Sequence, residues 1–223
     1  MASRSKSTKK SRRQLVNSAA IVVIIVLVLI FRLADVFDRD KTPGERFSVK
    51  AVIDGDTVEL LGGERLRLLG IDTPERDEPY YDEARQFLEK LTLGQTARVE
   101  FTGRKRDNYG RLLGYLYIDT VFVNKRILEN GLGYLYLFKD NEPDSPASRE
   151  LLAAQRKALE KRIGIWSLAR AAEPYYVASA NSFRFHRPGC RSVAKIKPAN
   201  LRRFDTREEA LYEGLSPCRN CKP

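Results

Sequence analysis

Histidine occurs once and cysteine three times in this 223-residue chain, and all four lie within its last 38 residues. An odd number of cysteines does not suit a disulfide framework. There is no internal repeat, and no low-complexity segment beyond a basic N-terminus. Acidic residues are missing from the first 13 positions, which carry six Lys or Arg. Net charge is missing from the long middle of the chain, where residues 14–170 hold 24 groups of each sign, so the formal charge of +11 resides at the two ends. A basic chain collects polyanions, but any polyanion site in the middle of this one must be local. The length allows one large domain, or one medium domain with additions.

Long apolar runs are also scarce, with one exception. Leu15 to Phe31 is almost wholly apolar, and these 17 residues sit at the short limit for crossing a hydrocarbon core of about 30 Å. Residues 15–33 therefore read as a transmembrane anchor behind a basic tail at 1–14. Only Ala34 is placed for signal cleavage, and Arg32 occupies the position where a second small residue is needed, so the segment reads as uncleaved. Six basic residues precede the span and four follow it (Arg32, Arg39, Lys41, Arg46). That bias puts the N-terminus in the cytoplasm and the body outside the cytoplasm. Residues 34–44, ending in Pro43-Gly44, read as a linker.

From Phe47 onward the pattern is strand-like. "FSVKAVI", "DTVELL" and "RLRLLGI" are separated by Asp54-Gly55 and Gly62-Gly63, and "TARVEF" and "GRLLGYLYI" flank a basic loop at 103–109. Helical spacing marks "YYDEARQFLEKLT", "VNKRILENG" and "SRELLAAQRKALEKRIG", with "LGYLYL" between the last two. Five short strands with interposed helices predict a mainly β domain at 45–168, an OB-fold barrel that closes its sheet and hides its edges. A second linker follows at 169–174. Residues 175–223 read as a separate α+β module, with a capping box from Thr206 and Glu209 before "EALYEG". Its apolar content is thin, and a module that small needs a staple.

Three stretches of the barrel carry acids and arginines at strand ends: "DGDTV" with Asp54 and Asp56, "RLLGIDTPE" with Arg67, Asp72 and Glu75, and "DNYGR" with Asp107, Tyr109 and Arg111. Aspartates are also ordinary turn residues, so the joint pattern carries the weight. Two aspartates with a backbone carbonyl and waters suit a hard cation such as calcium. Asp56, Asp72 and the carbonyl of Thr73 are the candidates, and Pro74 biases Thr73 away from the helical region. Glu75 is placed to take a proton from a water beside the metal. Arg67 and Arg111 can clamp phosphate oxygens bidentately and stabilise developing charge. Arg67 and Asp72 are five residues apart, on opposite faces of a flat strand, so the chain must bend there for the two to meet.

"VIDGDTVEL", "RLLGIDTPE", "DNYGRLLGYLY" and "IGIWS" together resemble, in order and spacing, the staphylococcal nuclease-like (thermonuclease) family over roughly residues 45–168. The resemblance implies an OB-fold and calcium-dependent hydrolysis of DNA and RNA that cleaves the 5′-oxygen to phosphorus bond and leaves 3′-phosphates. It implies Asp56, Asp72 and Thr73 as calcium ligands, Glu75 as general base, and Arg67 and Arg111 as contacts to the reacting phosphate. Tyr109, Tyr134 and Tyr136 match positions where the family places aromatics around the nucleotide, and aromatic faces stack on bases without sequence preference. One departure is Asn108, where the staphylococcal enzyme has a phosphate-touching lysine. Arg104, Lys105 and Arg106 of the same loop are candidates to replace that charge.

The histidine and cysteines form the pattern H-x3-C, 27 residues, C-x2-C: His186, Cys190, Cys218 and Cys221. Three soft thiolates and one imidazole fit a closed tetrahedral structural zinc site. "FHRPGCRSVAKI" and "REEALYEGLSPCRNCKP" resemble the Ada-type zinc-binding domain over about residues 175–223. The first ligand of that domain is a cysteine that accepts a methyl group from damaged DNA. Here His186 stands in its place, so methyl transfer is not implied. The module then either holds nucleic acid near the nuclease or acts as a structural cap. The expected protein is a membrane-anchored nuclease using calcium and zinc, with nucleic acid as partner and no protein partner implied. The second reading, a non-catalytic nucleic-acid-binding or interaction platform, is opposed by the intact acid and arginine set.

Overall fold

The computed structural model describes residues 44–139 and 143–223, together with Ile24 and Val26. Apart from those two residues the anchor expected over 15–33, the basic tail and nearly all of the first linker lie outside the described residues. Among the described residues no helix is long and apolar enough to cross a membrane. Residues Gly44–Pro223 form one compact unit.

All five expected barrel strands are present: β1 (Glu45–Asp54), β2 (Thr57–Leu60), β3 (Arg65–Leu68), β5 (Thr96–Glu100) and β6 (Leu112–Ile118), with β4 (Ile71–Asp72) between β3 and β5. The sheet runs β3-β2-β1-β5-β6, and a parallel pairing of β3 with β6 closes it into a barrel. A two-residue strand, β7 (Val121–Phe122), continues from β6. Closure follows from strand alternation: Val58, Leu60, Leu66, Leu68, Val99 and Leu116 point inward and are buried. Leu88 of α1 (Tyr81–Thr92), Ile127 of α2 (Val123–Glu129) and Leu151 of α3 (Pro146–Glu160) belong to the same core. Helix α3 begins two residues before the run read from the sequence, because Ser145 caps it through the Ser148 amide and Pro146 occupies its first turn.

The run "RLRLLGI" does not stay one strand. It stops at Leu68, and Gly70 takes a positive φ of 77° that a side chain would resist. Beyond the turn, Ile71 and Asp72 leave the barrel sheet and pair with β8 (Tyr134–Leu135), all that "LGYLYL" contributes as strand. This is the bend that the odd Arg67 to Asp72 spacing requires.

The C-terminal segment folds as a four-stranded sheet in the order β11-β9-β10-β12. Its strands are β9 (Tyr176–Ser179), β10 (Arg184–His186), β11 (Leu201–Phe204) and β12 (Ser216–Pro217). Helix α4 (Arg207–Tyr212) carries the expected capping box, Thr206 with Glu209. The segment read as a module at 175–223 does not keep its apolar side chains to itself. Its buried Tyr176, Phe185, Phe204, Leu211 and Leu215 form one cluster with Ala158 of α3 and with Ile165 and Trp166 of the turn after it. Too few apolar residues are present for a private core, so the segment borrows a wall from the barrel domain.

Polar groups seal that wall. The Gln155 side chain of α3 is fully buried, accepts from the Leu135 amide at 2.7 Å and donates to the Leu211 carbonyl at 2.8 Å. Ser216 Oγ donates to the Leu135 carbonyl at 2.6 Å, and Arg184 donates to the Leu137 carbonyl at 3.0 Å. Replacing Gln155 with leucine orphans the buried Leu135 amide and leaves the Leu211 carbonyl with the Gly214 amide alone. Gln155→Leu is therefore expected to cost about 1–3 kcal/mol, read as a lowered urea midpoint in equilibrium unfolding.

Candidate functional site

The site is built around Arg67. From the end of β3 its side chain folds back over the bend, and one terminal nitrogen donates to the carbonyls of Leu68 at 2.8 Å and Ile71 at 2.9 Å. The other terminal nitrogen lies 2.9 Å from Asp56 Oδ2 and 3.0 Å from Asp72 Oδ1. Two carboxylates from different strand ends thus converge on a single guanidinium nitrogen. Asn124 holds the bend from behind, accepting from the Leu116 amide and donating to the Leu69 carbonyl, and is itself fully buried.

Asp56 reaches this point from the two-residue turn between β1 and β2. Gly55 makes the turn possible by contact distance: a Cβ there would lie 2.7 Å from both Ala84 Cβ and Thr73 Oγ1. Asp56 Oδ2 also accepts from the Thr73 amide at 3.0 Å and the Thr73 hydroxyl at 3.1 Å, and Oδ1 accepts from Thr57 Oγ1. Burial pushes its carboxyl up from the ordinary value, and the Arg67 charge pulls against that rise. Thr73 thus presents two donors to Asp56.

Asp72 is more open and has a second partner that the sequence did not announce. Arg219, between Cys218 and Cys221, sets its guanidinium against the Asp72 carboxylate through both a terminal nitrogen and Nε. Burial and the Asp72 carboxylate bear on Arg219 in opposite directions, and the carboxylate prevails, pushing its already high pKa further up. Two clefts meet at this ion pair. One, about 350 Å³, is lined by Asp72, Glu75, Glu78, Tyr134, Arg170 and Lys222 among others. The other, about 330 Å³, is lined by Arg67, Arg104, Arg111, Tyr109, Tyr136 and Phe138 among others, and Arg219 lines both.

The remaining expected residues take different places. Glu75 is exposed at the rim of the first cleft, and its carboxylate makes no hydrogen bond or ion pair among the described residues. Arg111 lines the second cleft with Arg67 and is steadied by Asp107, which accepts its Nε at 2.8 Å and the Tyr109 amide at 2.9 Å. Tyr109 is 86% exposed. Tyr134 and Tyr136 are already engaged. Tyr134 packs edge-on against Trp166, and its hydroxyl accepts from Arg170 at 3.0 Å and Arg207 at 3.3 Å. Tyr136 carries the Arg184 guanidinium 3.4 Å from its ring centroid and Arg219 at 5.0 Å. Of the three basic loop residues, Arg104 lines the cleft, whereas Lys105 pairs with Glu45 and Arg106 with Glu64.

The parallel register of β10 with β12 sets Phe185 beside Pro217, which brings His186 alongside Cys218. Cys190 and Cys221 complete the group, with all four ligand atoms within 4.8 Å of one another. The buried His186 Nδ1 has no hydrogen-bond partner, burial pushes the imidazole down toward its neutral form, and burial pushes the Cys221 thiol up to about 12. An orphaned imidazole nitrogen among three thiols fits a bound zinc ion, which supplies the charge that lets buried thiolates form. Asp56 and Asp72 also fit a hard cation by donor type and proximity, since a carboxylate oxygen of each lies within 3.0 Å of one and the same nitrogen of Arg67.

Residues 65–168 match the family model described as staphylococcal nuclease homologue, and residues 166–223 match the metal binding domain of Ada. A thermonuclease of Staphylococcus intermedius is 30% identical over 168 residues, covering 69% of this chain and 98% of the relative. A micrococcal nuclease of Shigella flexneri is 30% identical over 142 residues, 58% of this chain and 78% of the relative. A thermonuclease of Staphylococcus hyicus is 30% identical over 132 residues, 55% of this chain and 76% of the relative. The closed barrel, the paired carboxylates on Arg67 and these matches agree, and the chain belongs to the staphylococcal nuclease homologue family, with an Ada-type metal-binding segment at its C-terminal side.

Proposed function

We propose that this protein is a calcium-dependent nuclease that hydrolyses phosphodiester bonds of DNA and RNA and leaves 3′-phosphates. The observation that carries this reading is the convergence of Asp56 and Asp72 on Arg67 where two clefts meet, one edged by Glu75 and the other lined by Arg111. Asp56, Asp72 and the Thr73 carbonyl would hold calcium, which supplies charge neutralisation and polarisation of a phosphoryl oxygen.

Around it the chain's own groups divide the reaction. Glu75, whose carboxylate makes no hydrogen bond or ion pair among the described residues, takes a proton from the attacking water as the water oxygen bonds to phosphorus. Arg67 and Arg111 bind the equatorial oxygens where negative charge accumulates. The bond from phosphorus to the 5′-oxygen breaks, the leaving oxygen collects a proton from solvent, and the products are a 3′-phosphate and a 5′-hydroxyl. Tyr109, exposed at the mouth of the second cleft, stacks on a base. Tyr134 and Tyr136 border the clefts and shape them, since their hydroxyl and ring face respectively are held by arginines. A non-catalytic platform would have no need of two carboxylates held on one guanidinium with an exposed glutamate on the adjoining cleft.

The apolar run at 15–33 supports anchoring in a membrane with the N-terminus cytoplasmic and the catalytic body outside. External calcium suits a site of few protein ligands, and bound zinc would keep the thiolates from oxidation in that setting.

Degradation of single-stranded DNA by the full chain is expected to require calcium, to stop with a calcium chelator and to return when calcium is restored. Glu75→Gln is expected to lower kcat about 100-fold or more with KM little changed. Metal analysis is expected to find one zinc per chain, and its removal to lower the thermal midpoint of the unit 44–223. Protease added to intact cells is expected to cleave the body and leave the N-terminal tail protected.

A further inference from the structure

We propose that Arg219, presented by the loop between Cys218 and Cys221, is a phosphate-binding residue of the nuclease site, so that the site is shared between the barrel and the metal-binding segment. The inference rests on the nuclease reading and adds to it a substrate contact from outside the barrel. Arg219 is held by four observations. Lys222 donates its amide to the Cys218 carbonyl at 2.8 Å, and Cys218 donates its amide to the Phe185 carbonyl at 2.9 Å, so the loop has a defined backbone shape before any metal is considered. The guanidinium lies against the outer, more open carboxylate of the pair, Asp72, and over the Tyr136 ring. It borders both clefts, the one that holds Glu75 and the one that holds Arg67 and Arg111. Finally, its side chain remains 56% exposed, so solvent and solute reach it, unlike Arg67 at 11%.

The charge arrangement explains what such a residue can do. Asp56 and Asp72 bring two negative charges, and Arg67 alone answers both from inside. Arg219 balances the pair from outside, in an ion pair whose carboxylate is 17% exposed but whose guanidinium is 56% exposed, so the arginine keeps donors open to an incoming anion. A phosphodiester entering between the clefts offers the same fork a planar pair of oxygens, and arginine binds phosphate bidentately in this geometry. With Arg104, Arg111 and Arg219 the second cleft then has cationic groups around its mouth, enough to track more than one phosphate of a single strand. The four cysteine and histidine ligands thereby acquire a task beyond stapling: they fix the base of the loop from which Arg219 projects.

The test is equilibrium binding of a fluorescent ten-residue oligothymidylate to the full chain in calcium-free buffer, followed by salt titration. Arg219→Ala is expected to bind about tenfold more weakly at low salt. The slope of log affinity against log salt is expected to fall by about 0.7, one phosphate contact on a single strand. Arg203→Ala, at a surface arginine of the same segment whose side chain pairs with Asp205 and Tyr175, is the control expected to bind as wild type does. Asp72→Asn separates the two explanations for any loss. A phosphate contact keeps the Arg219→Ala defect in the Asp72→Asn background, whereas mere neutralisation of Asp72 makes it vanish there, which overturns the proposal. Equal binding by wild type and Arg219→Ala, or no binding by wild type, also overturns it. Binding that depends on Arg219 in a protein that never cleaves supports the proposal and removes only the nuclease reading.

Discussion

Everything in the candidate site depends on one guanidinium holding two carboxylates. Asp56 lies on a turn and Asp72 at the end of β4, and bare repulsion between them in a buried setting would drive one to protonate or the two segments apart. Arg67 prevents both by placing a single nitrogen within 3.0 Å of each, while its second nitrogen ties down two carbonyls at the bend. The arrangement is demanding in both directions. Taking two charges from water is costly, and removing one partner of such a buried set typically costs about 3–5 kcal/mol. The local sequence is shaped to this need: glycine at 55 lets the turn approach Thr73 and helix α1, and glycine at 70 turns the chain out of the barrel sheet.

The second constraint is the shared core. A C-terminal segment with few large apolar side chains completes its interior against Ala158, Ile165 and Trp166 of the barrel domain, and Gln155 joins the two by hydrogen bonds on both sides. Tyr134, Tyr136, Asp72 and Glu78 are each touched by a basic residue from beyond position 169, so the electrostatic surroundings of the nuclease site are set partly by the segment that carries the metal ligands.

Local chemistry explains which features could be read from the chain alone. The five strands, the turns at Asp54-Gly55 and Gly62-Gly63, the helix at 81–92 and the Thr206–Glu209 capping box are short-range patterns, and each appears where the sequence placed it, apart from the early end of β3 at Leu68. The pairing of Asp56 with Asp72 was legible because residue types and spacing repeat a family pattern. The side of the strand from which Arg67 works was not, because alternation holds only until Gly70 ends it. Arg219 was illegible for a different reason: it meets Asp72 across 147 residues, and nothing in a C-x2-C motif says where its inner residues point. The arginines that engage Tyr134 and Tyr136 were illegible for the same reason, since Arg170, Arg184 and Arg207 lie outside the barrel pattern altogether.

Gln155 has a consequence for how such proteins can be assembled from parts. The boundary near residue 170 is visible in sequence as a linker, yet a cut there would strip the cover from Trp166 and Ile165 and take from Gln155 its acceptor, the Leu211 carbonyl. A barrel of this family that stands alone must face that surface with different side chains, and a metal-binding segment grafted elsewhere must find another wall. The two parts have grown into one object, and exchange of either between proteins would require rewriting the α3 face along with it.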